Sequence, residues 1–203
     1  MGNSVPSSLL IATRNRGKLA EIIELLEGVP LTIIGLEAFP PYPEVSESGR
    51  TFEENALIKA RYYHDRTGLL TVADDSGLMV DALGGEPGIH SARYGPSDAE
   101  RIARLLDALR DVPPERRTAR FVCVVALVGQ GIEKTFRGEV VGRIRTVPAG
   151  SGGFGYDPVF EYPPLGKTFA ELSRAEKSAV SHRGRAFRLL REFLLGFIAE
   201  TSR

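Results

Sequence analysis

Apolar and polar positions in the first third of the chain predict one strand followed by two helices. The apolar residues 9–12 predict a short first strand. Apolar residues spaced i, i+3, i+4 and i+7 over residues 19–26 predict a helix that Gly28 ends. After a proline-rich loop, Thr51 opens the Ser/Thr-x-x-Glu sequence of a capping box and predicts a second helix over residues 51–64.

The middle of the chain predicts a strand, a third helix and a hairpin. Residues 69–73 predict a strand, which we expect to stop at the polar sequence Asp-Asp-Ser-Gly of residues 74–77. Ser97 opens a second capping box, and the helical spacing of the apolar residues behind it predicts a helix. Two apolar-rich runs then predict a hairpin that turns on Gly-Gln-Gly at residues 129–131. The runs cover residues 121–128 and 132–141.

The last quarter of the chain combines a glycine loop with helices. Residues 150–155 contain four glycines in six positions, which predicts a tight loop. Ser173 opens a third capping box and predicts a short helix. Apolar positions over residues 186–197 predict a last helix, whose apolar face we expect to belong to the core rather than to an interface. Alternating strands and helices followed by a hairpin predict an α/β protein with a mixed sheet.

Composition and charge exclude several classes of function. The 203 residues include 26 basic and 26 acidic side chains, so the chain lacks the basic surface of a non-specific nucleic-acid binder. The single cysteine, Cys123, excludes an intrachain disulfide and a cysteine-based zinc site, and its apolar surroundings predict that it is buried. No apolar stretch approaches the ~20 residues of a membrane span, and residues 1–8 lack the pattern of a signal peptide. We therefore expect a cytoplasmic protein with no nucleic-acid or membrane partner.

The turn after the first strand is a candidate anion site. The N-terminus of a helix presents unpaired backbone N–H groups and a partial positive charge. Three cations and two polar side chains accompany it here. They are Thr13, Arg14, Asn15, Arg16 and Lys18. The alternative is that Asn15 or Thr13 only caps the helix and that the cations are solvated, and the turn by itself leaves both interpretations open.

Asp74 and Asp75 are candidate metal ligands. They follow an apolar strand, and ligands of open α/β sheets bind at the carboxyl ends of strands. Because neighbouring side chains of a strand face opposite ways, one aspartate can reach a ligand while the other braces the turn. Carboxylates suit Mg²⁺, which commonly takes one or two of them together with substrate phosphates. The alternative is an ordinary Asx turn. Glu44 and Glu47 lie in the loop before the second helix and could add another carboxylate.

Two further groups of residues could recognise a flat ligand. Phe154, within the glycine loop, offers a face to a planar base, and Asp157 or backbone amides could bind the edge of that base. Near the C-terminus, Lys177, His182 and Arg183 could bind a phosphate or a base carbonyl. The alternatives are a loop with aromatic plugs and a set of solvated charges. The other two histidines, His64 and His90, have no evident partner and are expected to be structural or exposed.

Six sequence blocks, in order, resemble the inosine/xanthosine triphosphate pyrophosphatase family. The blocks are Thr13-x-Asn15-x-x-Lys18, Ser48-Gly49-x-Thr51-Phe52-x-Glu54-Asn55-Ala56, Ala73-Asp74-Asp75-Ser76-Gly77-Leu78, Pro87-Gly88-x-x-Ser91-Ala92-Arg93-Tyr94, Phe154-Gly155-Tyr156-Asp157-Pro158 and Ser181-His182-Arg183-Gly184. Together they extend over residues 9–197, nearly the whole chain. Members of this family are house-cleaning enzymes that hydrolyse deaminated purine nucleotides.

The resemblance implies one ITPase-like domain over residues 1–203, with a long mixed sheet flanked by helices and two lobes around a central cleft. It implies a homodimer. It also implies Mg²⁺-dependent hydrolysis of ITP, dITP and XTP between the α and β phosphates, which gives the monophosphate and pyrophosphate and keeps these nucleotides out of nucleic acids.

The resemblance also implies roles for individual residues. Asp75 resembles the family's general base, and the resemblance implies that it also contacts the metal. This chain has Ser46-Glu47 where some relatives have two adjacent glutamates, so Glu47 is the candidate for the second metal ligand and Glu44 is the alternative. The implied triphosphate contacts are Thr13, Asn15, Lys18, Ser76 and Lys177. The implied base pocket consists of Phe154, Gly155, Tyr156 and Asp157, closed by His182 and Arg183.

Two other functions fit the same residues. A related pyrophosphatase could have the same fold but a pocket for other modified bases. A nucleotide-binding module without turnover is less consistent with the Asp74-Asp75 pair, since extra negative charge does not help to bind a triphosphate unless a metal is present.

Overall fold

The computed structural model describes residues 6–201, so the part of the signal-peptide prediction that concerns residues 1–5 lies outside the described residues. In chain order the strands and helices are β1 (Ser8–Ile11), α1 (Arg16–Leu25), β2 (Thr32–Gly35), α2 (Phe52–Thr67), β3 (Leu70–Val80), α3 (Asp98–Ala108), β4 (Thr118–Gly129), β5 (Ile132–Ile144), β6 (Phe160–Tyr162), β7 (Lys167–Thr168), α4 (Arg174–Val180) and α5 (His182–Thr201). Every predicted helix is present. The short strands β2, β6 and β7 were not predicted.

The strands form one mixed sheet in the order β2-β1-β3-β4-β5-β6-β7. β1 pairs in parallel with β2 and β3, whereas β6 pairs antiparallel with β5 and β7. β4 and β5 are neighbours joined through Gln130 and Gly131, as the hairpin prediction required. Gln130 has a φ of 56° and Gly131 a φ of 74°, the left-handed backbone that two-residue hairpin turns favour. The predicted α/β class with a mixed sheet is confirmed.

The chain divides into two compact units. Unit 1 consists of residues 6–75, 123–138 and 185–201, and unit 2 consists of residues 76–122 and 139–184. Strands β3, β4 and β5 each contribute residues to both units. The single domain over residues 1–203, with two lobes around a cleft, stays a prediction.

Each unit has a hydrophobic core of its own. In unit 1, β1 and the centre of β4 pack with α1 and α5, and Cys123 lies in this core with no exposed surface, as predicted. Leu190 and Leu194 of α5 are equally buried, so the apolar face of the last helix belongs to the core. In unit 2, Leu105 of α3 and Leu109, which follows the helix, pack with residues of β3 to β6 and with the chain around Phe169.

The prediction that a strand stops before Asp74 is wrong. β3 continues through Asp74, Asp75, Ser76 and Gly77 and ends at Val80. The polar sequence resembles a turn, but the strand continues through it. Within β3, Ser76 and Met79 are partly exposed and all the other residues are buried. The strand end that we expected at Asp74 belongs instead to the neighbouring strand β1, whose last residue, Ile11, pairs with Val72 of β3. Both aspartates lie just beyond that pair.

Within residues 6–201, no helix has the length and apolar character needed to cross a bilayer. The ring of His64 is half-buried, with Nδ1 2.7 Å from the carbonyl oxygen of Leu69, whereas His90 is exposed. The first is structural and the second exposed, as predicted.

Candidate active site

The turn between β1 and α1 is built around two polar caps. The side-chain oxygen of Asn15 accepts a hydrogen bond from the backbone N–H of Lys18 at 3.0 Å, and the hydroxyl of Thr13 accepts one from the N–H of Asn15 at 3.2 Å. Asn15 therefore caps the helix, which is the simpler of the two interpretations of this turn. The cap does not exclude contact with a ligand, since the side chains of both Thr13 and Asn15 remain partly accessible.

Lys18 directs its ammonium group to Asp74. The distance from Nζ to Oδ2 is 2.9 Å, and the carboxylate side chain is almost wholly buried. The thiol of Cys123 lies 3.9 Å from the same oxygen. A buried carboxylate needs a partner of this kind, because an isolated charge away from water is strongly unfavourable.

Asp75 has a different set of partners, all from α2. The side-chain amide of Asn55 donates to Oδ2 at 3.2 Å, and the ammonium group of Lys59 lies 3.5 Å from Oδ1. Adjacent aspartates of one strand thus contact different helices, as the alternation of side chains along a strand requires. Burial raises the pKa of Asp75, and the neighbouring charge of Glu47 adds to that effect, although Lys59 opposes it.

Glu47 reaches the same lysine from its loop. Its Oε1 lies 3.2 Å from Nζ of Lys59, so that one ammonium group lies between Glu47 and Asp75. Burial lowers the pKa of Lys59, but the surrounding carboxylates outweigh it and the net shift is upward. Glu44 is exposed, and its charge adds to the burial that raises the pKa of Tyr63. Of the two loop glutamates, only Glu47 shares a partner with Asp75.

Three carboxylates and two lysines lie together here, and we call them the acid cluster: Glu47, Asp74, Asp75, Lys18 and Lys59. No three Asp, Glu, His or Cys side chains within residues 6–201 converge closely enough to enclose a metal ion by themselves. Glu47 and Asp75 nevertheless surround a cation, Lys59, and hard carboxylate oxygens are the donors that Mg²⁺ prefers. Because Mg²⁺ usually keeps several ligands from water and phosphate, two carboxylates on one side are sufficient protein donors. The residues present fit such an ion.

Unit 2 holds the second group of predicted residues. Asp157 is buried. Its carboxylate accepts a hydrogen bond from the backbone N–H of Phe154 at 2.9 Å and forms an ion pair with Lys177 at 2.5 Å. Gly153 has a φ of 69°, and a Cβ at that position would overlap the Asp157 carboxylate. The N–H of Gly155 donates to Asp98 at 2.7 Å. The glycine loop is therefore fixed by two carboxylates that bind its backbone.

Cations lie around the ring of Phe154. Nζ of Lys177 is 4.7 Å and the guanidinium carbon of Arg183 is 5.6 Å from the ring centroid. The guanidinium group of Arg183 also donates to the hydroxyl of Ser76 at 3.0 Å, although both residues are far apart in sequence. We call Phe154, Asp157, Lys177 and Arg183 the cation cluster. Such an arrangement offers a ring for stacking and hydrogen-bond donors at its side.

Two other predicted residues of unit 2 have structural contacts. The ring of His182 stacks on Phe121, with centroids 4.6 Å apart and planes 11° from parallel. The hydroxyl of Tyr156 donates to the carbonyl oxygen of Ser91 at 2.9 Å, and burial raises the pKa of this phenol. Their implied roles in base binding stay predictions.

The structure groups the predicted residues into one set in each unit. Lys177 contacts Asp157 and Phe154 of unit 2, whereas the resemblance implied that it joins Lys18 at the triphosphate. Sequence reasoning assigned no role to Asn55, Lys59 or Asp98. A signal for the first two exists, because residues four apart share one face of a helix and Asn55 and Lys59 have that spacing.

This chain is similar to known proteins in both sequence and structure. The model of the Ham1 family matches residues 9–193. A dITP/XTP pyrophosphatase of Geobacter sulfurreducens is 54% identical over 190 residues, which is 92% of this chain and 96% of the relative. A dITP/XTP pyrophosphatase of Mycobacterium tuberculosis is 54% identical over 191 residues, 91% of this chain and 93% of the relative. The solved structure of a HAM1 protein from Coxiella burnetii is 42% identical, with a TM-score of 0.85, covering 93% of this chain and 98% of that one.

Proposed function

The chain belongs to the Ham1 family, and from that premise we propose that it is a nucleoside triphosphate pyrophosphatase that hydrolyses ITP, dITP and XTP. The products are the nucleoside monophosphate and pyrophosphate, and the benefit is that deaminated purines stay out of nucleic acids. Relatives named dITP/XTP pyrophosphatases, at 52–55% identity over more than nine tenths of this chain, support the substrate class.

The observation that carries the proposal is the setting of Asp75. This carboxylate is buried, has a raised pKa, and lies beside Asn55 and Lys59 with Glu47 opposite the lysine. A general base works best when its pKa is closer to the working pH than that of an ordinary carboxylate. A raised pKa on a carboxylate supports a role in proton transfer, and the contacts of Asp75 with Asn55 and Lys59 support that role independently.

In the proposed reaction, a water oxygen attacks the α-phosphorus while Asp75 accepts the water proton. The bond between the α-phosphorus and the bridging oxygen breaks, and pyrophosphate leaves with that electron pair. Lys18 neutralises phosphate charge, and Thr13 and Asn15 supply polar contacts to the phosphates at the start of α1. Glu47 and Asp75 would hold Mg²⁺, which when bound neutralises phosphate charge further.

The base is assigned to unit 2. Phe154 would stack on the purine, Gly155 and Tyr156 would line the pocket, and Asp157 with Lys177 would bind its edge. His182 and Arg183 would close over it. Donors directed at a 6-oxo group would be left buried and unpaired by adenine, which discriminates strongly against ATP. Lys177 is proposed here as a base contact instead of the triphosphate contact that the resemblance implied, because of its contacts with Asp157 and Phe154.

Three further proposals follow from the family. Ser76, which accepts a hydrogen bond from Arg183, is proposed to contact the triphosphate. A homodimer and a single domain over residues 1–203, with a cleft that holds the substrate, agree with the resemblance of the sequence blocks. A cytoplasmic location agrees with the presence of the nucleotide pool there.

The decisive experiment is a hydrolysis panel of ITP, dITP, XTP, GTP, ATP and UTP with Mg²⁺ present, in which pyrophosphate and orthophosphate are detected separately. We expect pyrophosphate from ITP, dITP and XTP, formed much faster than from GTP or ATP. Orthophosphate as product would contradict the bond assignment. Turnover of pyrimidines alone would indicate a related pyrophosphatase, and no turnover by a folded protein would indicate a binding module.

A further inference from the structure

Asn55 is a buried polar side chain that uses both ends of its amide. It has no exposed surface. Its nitrogen donates to Oδ2 of Asp75 at 3.2 Å, and its oxygen accepts a hydrogen bond from the backbone N–H of Gly49 at 2.8 Å. Buried amides are unfavourable unless their donors and acceptors are used, and here the partners are a strand carboxylate and a loop backbone.

The loop that Asn55 holds is the one that carries Glu47. Gly49 follows Glu47 by two residues, and the N–H of Arg50 donates to the side chain of Glu54 at 2.6 Å. The loop is thus attached to the first turn of α2 by two hydrogen bonds from consecutive backbone groups. A Cβ at Gly49 would lie 2.7 Å from Oδ1 of Asn55, so only glycine allows this close approach.

Both carboxylates that face Lys59 are therefore connected to one amide. Asp75 is bound directly and Glu47 through its loop, while Lys59, one turn further along α2, contacts both. From this geometry we infer that Asn55 is a positioning residue for the proposed reaction. It orients the Asp75 carboxylate through its nitrogen and sets the distance of Glu47 from Asp75 through its oxygen. Only the expected change in kcat rests on the proposed function; the positions of the two carboxylates and their effect on Mn²⁺ binding do not.

The two halves of the amide have separable effects. Loss of the bond to Asp75 frees the carboxylate to rotate, which lowers the rate of proton transfer without changing the groups proposed to contact substrate. Loss of the bond to Gly49 removes one of the two hydrogen bonds that attach the Glu47 loop to α2, which loosens the loop and weakens cation binding. Groups that orient metal ligands typically change affinity or activity by about 10- to 100-fold when they are removed.

The test compares three variants. Asn55→Ala removes both bonds, Gly49→Ala crowds the loop end against Asn55 and Glu54 at the start of α2, and Thr51→Ala is the matched control. Thr51 caps α2 through the N–H of Glu54 at 3.1 Å, so its loss weakens the same helix without removing a bond to Asp75. Each variant is assayed for kcat and KM with ITP at saturating Mg²⁺. Mn²⁺ binding to the nucleotide-free protein is measured from the spin-resonance signal of the free ion.

We expect Asn55→Ala to lower kcat by about 10- to 100-fold, with KM within about threefold of wild type, and to weaken Mn²⁺ binding by about tenfold. Gly49→Ala should weaken Mn²⁺ binding by a similar factor and lower kcat by less than Asn55→Ala does. Thr51→Ala should leave kcat and Mn²⁺ binding within about twofold of wild type. If Asn55→Ala does not fold, Gly49→Ala decides the inference, because it leaves Asn55 in place.

Wild-type kcat and wild-type Mn²⁺ binding in folded Asn55→Ala would overturn the inference. Equal losses in Asn55→Ala and Thr51→Ala would do so as well, since they would reduce Asn55 to a support for α2. If the wild-type protein hydrolyses none of the six nucleotides, the proposed function fails, and Mn²⁺ binding alone decides the role of Asn55.

Discussion

The acid cluster of unit 1 and the cation cluster of unit 2 have opposite balances of charge. The acid cluster contains three carboxylates and two lysines, whereas the cation cluster contains one carboxylate with a lysine and an arginine. Each cluster is built of paired, largely buried groups, yet each keeps one charge in excess. A surplus of carboxylate suits a divalent cation that accompanies phosphates, and a surplus of donors suits a carbonyl oxygen on a base.

The same contrast appears in the pKa values of two carboxylates. Burial raises the pKa of Asp75, and the lysine beside it does not reverse the shift. Burial also acts on Glu161 of unit 2, but hydrogen bonds from Arg145 and Arg143 outweigh it and lower the pKa. A carboxylate with two arginines is fixed in its charged form and is a structural anchor. Asp75, whose pKa is raised, can exchange a proton. Two lysines, Lys59 and Lys18, also lower the pKa of Asp75, so the difference comes from the burial of Asp75 and from the direct hydrogen bonds that the arginines donate to Glu161.

Replacing the carboxylate of Asp75 tests the acid cluster most directly. Asp75→Asn keeps the shape of the side chain but cannot accept a proton, so we expect kcat to fall by about 10³-fold with the fold retained. Turnover of ITP and the circular dichroism spectrum are the measurements. Activity near that of wild type in a folded variant would remove Asp75 from the reaction.

Breaking the buried pair of the cation cluster should mainly affect stability. Lys177→Met leaves Asp157 buried without its lysine, and we expect unfolding in urea to require about 3 kcal/mol less than in wild type. The double variant Lys177→Met/Asp157→Asn should regain at least half of that loss, since the unpaired charge is gone. A single variant within about 0.5 kcal/mol of wild type would show that the pair does not hold the loop.

Removing Lys18 from the acid cluster should weaken substrate capture and, because Lys18 is an ion-pair partner of buried Asp74, should also lower the stability of the protein. Lys18→Ala deletes a cation at the turn proposed to bind phosphates, so we expect KM for ITP to rise about tenfold, equivalent to ~1.4 kcal/mol, with kcat less affected. Arg16→Ala is the control, because Arg16 is an exposed cation of the same turn. Equal changes in KM for both variants would indicate a general charge effect rather than a site.

The smallest effect is expected at Glu161, where pH gives the readout. The pKa of this carboxyl is lower in the folded protein than its ordinary value of 4.5, so its stabilisation is complete above that value and is lost as the pH falls through the folded pKa. We expect Glu161→Gln to be about 1 kcal/mol less stable at pH 7, with the gap closing in acid. Urea unfolding of both proteins between pH 7 and pH 3 measures the gap, and a gap independent of pH would contradict the assignment.

Local signals predicted most of the helices and long strands. The side chains of Thr51, Ser97 and Ser173 cap the true starts of α2, α3 and α4, as the capping-box sequences predicted, because a cap is satisfied by residues within the same turn. Of these three, Ser173 has the full reciprocal capping box. The short strands β2, β6 and β7 were missed because, unlike β1 with its run of four apolar residues at 9–12, each has at most two consecutive apolar residues. β3 was cut short for the same reason: its polar centre is tolerated only because α1 and α2 supply Lys18, Asn55 and Lys59.

The site was predictable in part. Asp75, Glu47 and Lys18 lie together in unit 1, and Phe154, Asp157, Lys177 and Arg183 lie together in unit 2. Asn55, although it belongs to the second sequence block, and Lys59 were given no role, because helical asparagines and lysines usually face solvent and only their partners in the fold distinguish these two. Contacts between residues far apart in sequence, such as Arg183 with Ser76, have no local signature.

The core of unit 1 joins the two ends of the chain, and this determines when it can form during synthesis. Leu9 and Ile11 of β1 pack in the same cluster as Phe187 and Leu194 of α5, whereas every residue of unit 2 precedes α5's core positions. A chain leaving the ribosome therefore contains all of unit 2 before β1 has its final partners. A premature stop before α5 would release a chain in which β1 has lost much of its apolar cover, and we expect chaperones and proteases to act on such a product.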